Sequence, residues 1–266
     1  MRVLENGNFR IGAVLGLFIG SLIVTSFFFL PYDYNEMNSK IRFKPPGFPH
    51  LLGTDNFGRD VFTRIMAGGK YTLAVALVTV AGSAAAGSAL GMISGFAGGL
   101  WDEIVMRLMD ALSSFPGILL ALVMAALLGN SHITLIIALL VLFIPSFTRI
   151  MRSGAVQYKS RDFVLAARIL GTSRLRIIFV HILPNLFPSL LSASVLGLSN
   201  AILAESTMSY LGLGIQPPVP SWGRMLSESQ NYLFSAPWCA LAPGVMIMLA
   251  VLAFHYLGEG LRQGNQ

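Results

Sequence analysis

The chain has 266 residues, 18 Lys+Arg against 12 Asp+Glu, a net charge of +6, 55% hydrophobic and only 11% charged residues, and a mean hydropathy of +0.70. Soluble domains carry roughly 25% charged residues, so there is too little polar side chain here to coat a water-soluble globular enzyme. Disorder is excluded by the same apolar excess, and an integral membrane protein remains.

A helix needs about 20 mostly apolar residues to cross about 30 Å of hydrocarbon. The first such run covers 11–30 and stops at Pro31. Arg2 and Arg10 precede it, but the run is too long for a signal-peptide core and no A-x-A-like site follows, so it reads as an uncleaved span. The second run, 72–96, is rich in small residues (Gly82, Ala84, Ala85, Ala86, Gly87, Gly91, Gly95), which predict close helix contacts deep in a bundle. A third, 104–128, follows a charged turn at Asp102 and Glu103 and contains Arg107, Asp110 and Pro116. The fourth, 133–147, contains Pro145; the fifth and sixth cover 186–204 and 238–257. The runs are continuous rather than alternating, which selects helices over barrel strands. The expected fold is an all-α membrane protein with six transmembrane helices. Its expected division is an N-terminal span with an extracytoplasmic segment (1–70), a transmembrane domain (71–260) and a short tail (261–266).

The loop between the fourth and fifth runs carries Arg149, Arg152, Lys159, Arg161, Arg168, Arg174 and Arg176 against Asp162 alone, so it is predicted to be cytoplasmic. Six spans then place both termini in the cytoplasm. The segment after the first span also holds Lys40, Arg42, Lys44, Arg59, Arg64 and Lys70, against a simple charge count; its greater length weakens the rule there. Arg149, Arg152, Lys159 and Arg161 either meet an acidic partner or anchor the chain at anionic lipid.

No catalytic or metal site is expected. Cys239 is the single cysteine, and His50, His132, His181 and His255 lack metal-ligand spacing. His181 is expected to make a structural hydrogen bond. Gly68-Gly69-Lys70 is followed by Tyr71 and lacks the earlier glycine of a P-loop, so any ATP would be bound by another subunit. Glu205 is the nearest thing to an intramembrane carboxylate and is expected at the outer interface.

Residues 151–185 carry the strongest local pattern. Asp162 is predicted to cap a short helix with Phe163, Ala166, Ala167 and Leu170 as its apolar positions. Gly171 suits the turn after it, and Ser173 starts a second helix, with Leu175, Ile178 and Phe179 on one side, that ends near Pro184. Such a piece is too short to be stable alone and must dock against lipid or a partner groove.

Ala166-Ala167, Gly171 and Leu183-Pro184 resemble the E-A-A-x-x-x-G…I-x-L-P loop of ABC importer permeases, with Leu165 in place of Glu and His181 in place of Ile. The variant Ala166-Ala167-Arg168-Ile169-Leu170-Gly171 with His181-Ile182-Leu183-Pro184-Asn185 is similar to the peptide/nickel branch of that family. Leu52-Gly53-Thr54-Asp55-Asn56-Phe57-Gly58-Arg59-Asp60 resembles its LGTDxxGRD segment. Ser209-Tyr210-Leu211-Gly212-Leu213-Gly214, Pro217-Pro218 and Ser221-Trp222-Gly223 resemble its SFLGLG…P…WG loop.

The resemblance implies a type I ABC importer permease fold in the prokaryotic cytoplasmic (inner) membrane. It implies a homologous second permease, two ATPase subunits and an extracytoplasmic substrate-binding protein as partners, besides the lipid bilayer, and no nucleic acid. This chain would bind no cofactor and be no enzyme; ATP and Mg would sit in the ATPases. Coupling to them would fall to the 162–184 loop through Asp162, Phe163, Ala166, Ala167, Arg168, Leu170, Gly171, Leu183 and Pro184. The extracytoplasmic family segments would contribute Gly53, Thr54, Asp55, Gly58, Arg59, Asp60, Gly212, Gly214 and Trp222. Asp55, Arg59 and Asp60 would either touch the binding protein or pair locally. The implied cargo is a short peptide, with nickel or another metal chelate, or glutathione, as the alternative. A stand-alone secondary transporter is the reading of a different class; it would call for inverted repeats or buried ionisable coupling residues.

Overall fold

The computed structural model describes residues 6–264; Arg2 and the last two residues of the tail lie outside the described residues. In chain order the helices are α1 (Gly7–Phe28), α2 (Val61–Ala97), α3 (Gly99–Ser114), α4 (Gly117–Leu128), α5 (His132–Lys159), α6 (Asp162–Ile169), α7 (Arg174–Tyr210), α8 (Trp222–Ser229) and α9 (Trp238–Gly264). Extended structure among the described residues is limited to one isolated bridge, Thr54 with Asp60. Five helices, α1, α2, α5, α7 and α9, are long and apolar enough to cross a membrane, and α3 with α4 forms a sixth segment bent by 90°.

That bend corrects the straight third span. Phe115 is extended (φ −80°, ψ 129°) because the ring of Pro116 disfavours helical backbone in the residue before it, and Gly117 follows. At 1.5 Å per residue α3 is about 24 Å long and α4 about 18 Å, each short of the hydrocarbon thickness. The pair still joins opposite ends of the bundle: α3 starts beside Lys159 at the end of α5, whereas just beyond α4 the Asn130 side chain donates to the Gly212 carbonyl at 2.7 Å. Pro145, Pro188 and Pro243 lie inside unbroken helices.

Three helices overrun their predicted limits. Asp60 accepts from the Thr63 N–H at 2.7 Å and caps α2 at Val61, so α2 runs across residue 70. α5 absorbs residues 151–159 of the predicted loop, and α7 begins at Arg174.

α2 and α5 run parallel with their backbones almost touching. A Cβ at Gly91 would lie 2.3 Å from the Thr148 carbonyl oxygen, and one at Gly95 2.7 Å from that of Arg152. The small-residue stripe therefore does what its composition predicts: it lets two backbones approach where apolar burial drives no association. Gly91→Val is expected to destabilise the chain by about 1–3 kcal/mol or more, because backbone rather than a movable side chain is in the way. A melting temperature in detergent equal to that of the parent would contradict this contact.

α1 packs antiparallel to α9, with Gly12 against the Leu257 backbone, Gly260 against Phe9, and the Asn6 side chain donating to the Gln263 Oε1 at 2.6 Å. The first and last described residues thus lie at the bundle end that also holds residues 151–177. The core between them is built from Val80, Ala84, Phe147, Ala201, Ile202, Ile247 and Ala250.

Candidate functional site

At the end shared with the first and last helices, α6 is a two-turn helix pinned by one face. Val164 and Ala167 are buried against Met92 and Phe96 of α2, Met151 and Ala155 of α5, and Ile177, Ile178, Ile182 and Leu186 of α7. Asp162 is not the cap: Arg161 holds that position without a side-chain bond, and Asp162 is the first helical residue, where its charge favours the helix dipole. After α6, Gly171 adopts φ +76°; its N–H reaches the Arg168 carbonyl and the Thr172 N–H the Ala167 carbonyl, both at 3.0 Å. This paired termination requires a left-handed residue and explains the glycine.

The opposite face of α6 is apolar and uncovered. Ile169 is 86% and Leu170 84% exposed, and Phe163, Leu165 and Ala166 are exposed beside them. The predicted division of the helix is therefore revised: Val164 and Ala167 face inward, while Phe163, Ala166 and Leu170 face out. Arg168 lies over the Phe96 ring, 4.7 Å from its centroid.

The second helix does not stop near Pro184. A wider, π-type turn over Ile177–Ile182 precedes Leu183 and Pro184, and α7 continues through both to Tyr210. Such a turn absorbs a proline that lacks an N–H and crowds the carbonyl one turn back. His181 misses its expected ring hydrogen bond: Nδ1 is buried without a partner among the described residues, and only its carbonyl is engaged, accepting from Asn185 at 2.7 Å. Arg149 and Arg152 are committed inside the chain, to Asp110 at 3.0 Å and, through two bonds of 2.6 Å, to Asp102.

The opposite end of the bundle is closed by an ionic cluster. Arg59, 4% exposed, meets Asp55 at 2.6 Å and Glu228 at 2.8 Å; Arg64, 2% exposed, meets the same Glu228 oxygen at 3.0 Å. Arg224 adds a contact to Glu228 at 3.3 Å. Asp60, besides capping α2, faces His50 Nδ1 at 3.0 Å. All three charged residues of the LGTDxxGRD-like stretch are buried, so local pairing is what the structure places here. Gly58 (φ +76°) passes so close to Asn38 that a Cβ would lie 1.9 Å from its carbonyl oxygen. The Thr54 hydroxyl donates to the Ile41 carbonyl, its backbone oxygen accepts from Trp238 Nε1 at 3.2 Å, and Gly53 N–H reaches the His50 carbonyl at 2.8 Å.

The 211–229 stretch folds back over the bundle. Trp222 is fully buried, its Nε1 donating to the Ile65 carbonyl at 3.0 Å and its ring seated on Gly69. Gly214 packs against Ser209, and Gly212 receives Asn130. Beneath, Glu205 is fully buried among protein side chains. It accepts from Ser209 at 2.7 Å and from Ser206 at 3.4 Å, with Thr72 and Ser221 completing a hydroxyl shell.

Between α5 and α7 lies a cavity of about 480 Å³ whose wall is mostly apolar (Phe143, Phe147, Ile150, Leu196), with Ser146, Ser189, Ser192, Asn200 and Arg262 as its polar groups. An apolar wall with a few hydrogen-bonding groups and no carboxylate is the usual make-up of a small-molecule site. Sequence reasoning missed this surface because hydroxyls one helix turn apart look like packing residues. It also missed Glu228 and the pairing of Arg64. The available signal was charge at the edge of an apolar run: Glu228 is the single acid of 207–237, and a guanidinium just inside a span needs a partner. Among the described residues no group of three or more His, Cys, Asp or Glu could hold a metal ion.

Residues 87–264 match the family described as binding-protein-dependent transport system inner membrane component. The chain is 41% identical over 252 residues to the dipeptide transport system permease protein DppC of Alkalihalophilus pseudofirmus, covering 92% of this chain and 83% of the relative. It is 41% identical over 261 residues to a putative peptide transport system permease protein of Brucella abortus (98% and 88% covered). To the glutathione transport system permease protein GsiD of Pectobacterium atrosepticum it is 36% identical over 262 residues (95% and 85% covered).

Proposed function

Because the chain belongs to the family of binding-protein-dependent transport system inner membrane components, a multi-pass membrane family, we propose that it is the permease subunit of an ATP-driven importer of short peptides. In this reading the basic end, with both chain ends and α6, faces the cytoplasm. The end closed by the Arg59–Glu228 cluster faces outward, toward a substrate-binding protein. A second, homologous permease completes the pathway, and two ATPase subunits, which hold ATP and Mg, lie beneath. A stand-alone secondary transporter does not fit a binding-protein-dependent family.

One observation carries the coupling role: α6 exposes an apolar face to the outside while its other face is packed on three long helices at once. An exposed stripe of this kind on a short helix marks a docking surface. A partner pressing on it acts on α2, α5 and α7 together, which is the rigid element that coupling between sites requires.

Peptide cargo is favoured over a metal chelate by the relatives named for peptides, and the cavity between α5 and α7 offers room for a small solute. We assign that cavity as this subunit's share of the pathway wall. Asn200→Trp is then expected to reduce uptake at least tenfold, by filling the cavity, while assembly and basal ATP hydrolysis persist. The whole reading is tested by reconstituting the chain with its partner permease, ATPases and binding protein in liposomes. ATP-dependent accumulation of a labelled dipeptide, outcompeted by peptides but not by a nickel chelate or glutathione, is expected. Uptake by the chain alone without ATP would overturn it.

A further inference from the structure

Where α2 and α5 end, the α6 turn closes over a cavity of about 340 Å³ lined by Lys159, Arg168, Thr172 and Arg174, with Phe96 and Ile177 as its apolar floor. No acidic side chain lines it. Among the described residues none of the three cations has a carboxylate within ion-pair distance, whereas their neighbours Arg149 and Arg152 do. Asp102, the carboxylate nearest Lys159 in effect, has both oxygens taken by Arg152. Three like charges gathered around one concavity repel each other unless an anion sits between them. Arg168 Cζ rests 4.7 Å from the Phe96 ring centroid, and a guanidinium held there carries an N–H fork suited to an oxyanion.

The depth of the cavity identifies the anion. The apolar run of α2 ends at Phe96, so the cavity opens just past the end of that run, where lipid headgroups are met. We propose that this cavity binds the phosphate of an anionic phospholipid from the same leaflet, with Lys159, Arg168 and Arg174 as its cationic contacts and the Thr172 hydroxyl as a neutral donor. Two of these residues, Arg168 and Thr172, belong to the α6 turn, so the bound headgroup braces that turn against the ends of α2 and α5. The site stands whatever the cargo, because none of its residues lines the cavity between α5 and α7.

Native mass spectrometry of the whole transporter complex, extracted from nanodiscs of phosphatidylcholine with or without phosphatidylglycerol, tests the assignment. The parent is expected to retain phosphatidylglycerol and to exchange phosphatidylcholine freely. In K159Q/R174Q the retention is expected to weaken about thirtyfold, from two lost surface cations. Millimolar inorganic phosphate is expected not to displace the lipid; displacement would mean that a soluble phosphate owns the site and would overturn the lipid source. Should the double variant fail to assemble, photoreactive phosphatidylglycerol applied to the parent decides. Adducts on 96–98, 159 and 168–174 support the proposal. Adducts confined to other surfaces, or protection of this stretch by a bound ATPase subunit, overturn it.

Discussion

Ile169→Asp/Leu170→Asp is expected to abolish ATP-driven uptake while leaving the permease folded. Both side chains stand almost wholly in solvent, so their replacement removes no internal contact, and surface changes of this kind usually stay within about 0.5 kcal/mol. The same two residues are the most exposed of the apolar face proposed to enter a partner groove, where loss of an anchoring contact costs about 2 kcal/mol or more. The measurement is a pair: the melting temperature of the isolated chain, expected unchanged, and retention of ATPase subunits through purification, expected lost. Intact retention together with normal uptake would remove α6 from the coupling role. Gly171→Asp probes the same element from its backbone. A Cβ there meets nothing within 4 Å, so the cost is conformational, at most about 1–2 kcal/mol for a residue forced left-handed. It is expected to leave assembly partly intact and to loosen the link between hydrolysis and uptake, read as ATP consumed per peptide transported.

Glu228→Ala carries the second large effect. One carboxylate oxygen accepts from both Arg59 and Arg64, and both guanidiniums are buried. Without it, Asp55 alone faces them, and removal of one member of a buried ion cluster typically costs about 3–5 kcal/mol, because the remaining charges stay out of water. The loss is expected as a clear fall in melting temperature and as protease sensitivity of the 38–60 stretch. Glu228→Leu combined with Arg64→Met is expected to recover part of the loss, since an apolar pair needs no counter-charge. An unchanged melting temperature for Glu228→Ala would show that water already satisfies the cluster.

How much of this was legible beforehand divides along a physical line. Apolar runs are set by the bilayer, so the positions of the spans followed from counting, and Gly87, Gly91 and Gly95 announced the closest helix contact. Proline did not discriminate: Pro116 breaks a helix, whereas Pro145, Pro188 and Pro243 do not, and the next residue does not separate them, since glycine follows both Pro116 and Pro243. The cations of 31–70 have a related explanation in the fold. Of the six cations between the first two spans, Arg59 and Arg64 are neutralised by acids, and Lys70 donates to the Ser26 carbonyl over the Phe27 ring. The positive-inside rule counts charge, not pairing. Within 151–185 the turn at Gly171 was readable from its residue type, but which face of α6 is buried was not, because Val164 and Leu165 are equally apolar. The shell around Glu205 was not legible because its hydroxyls come from three separate segments.

One helix deserves to be followed from end to end. α2 begins at the Asp60 cap, four residues before Arg64 of the ion cluster, and finishes one residue after Phe96, on which Arg168 rests. It has 37 residues without a break or an internal proline, about 55 Å of continuous helix. A rod has no need of a relay. A tilt of only about 5° about one end carries the other sideways by about 5 Å, close to one helical turn. In the proposed coupling, the mechanical link between the two ends of the bundle lies in a single uninterrupted segment, whose stiffness sets how far a movement at one end is felt at the other.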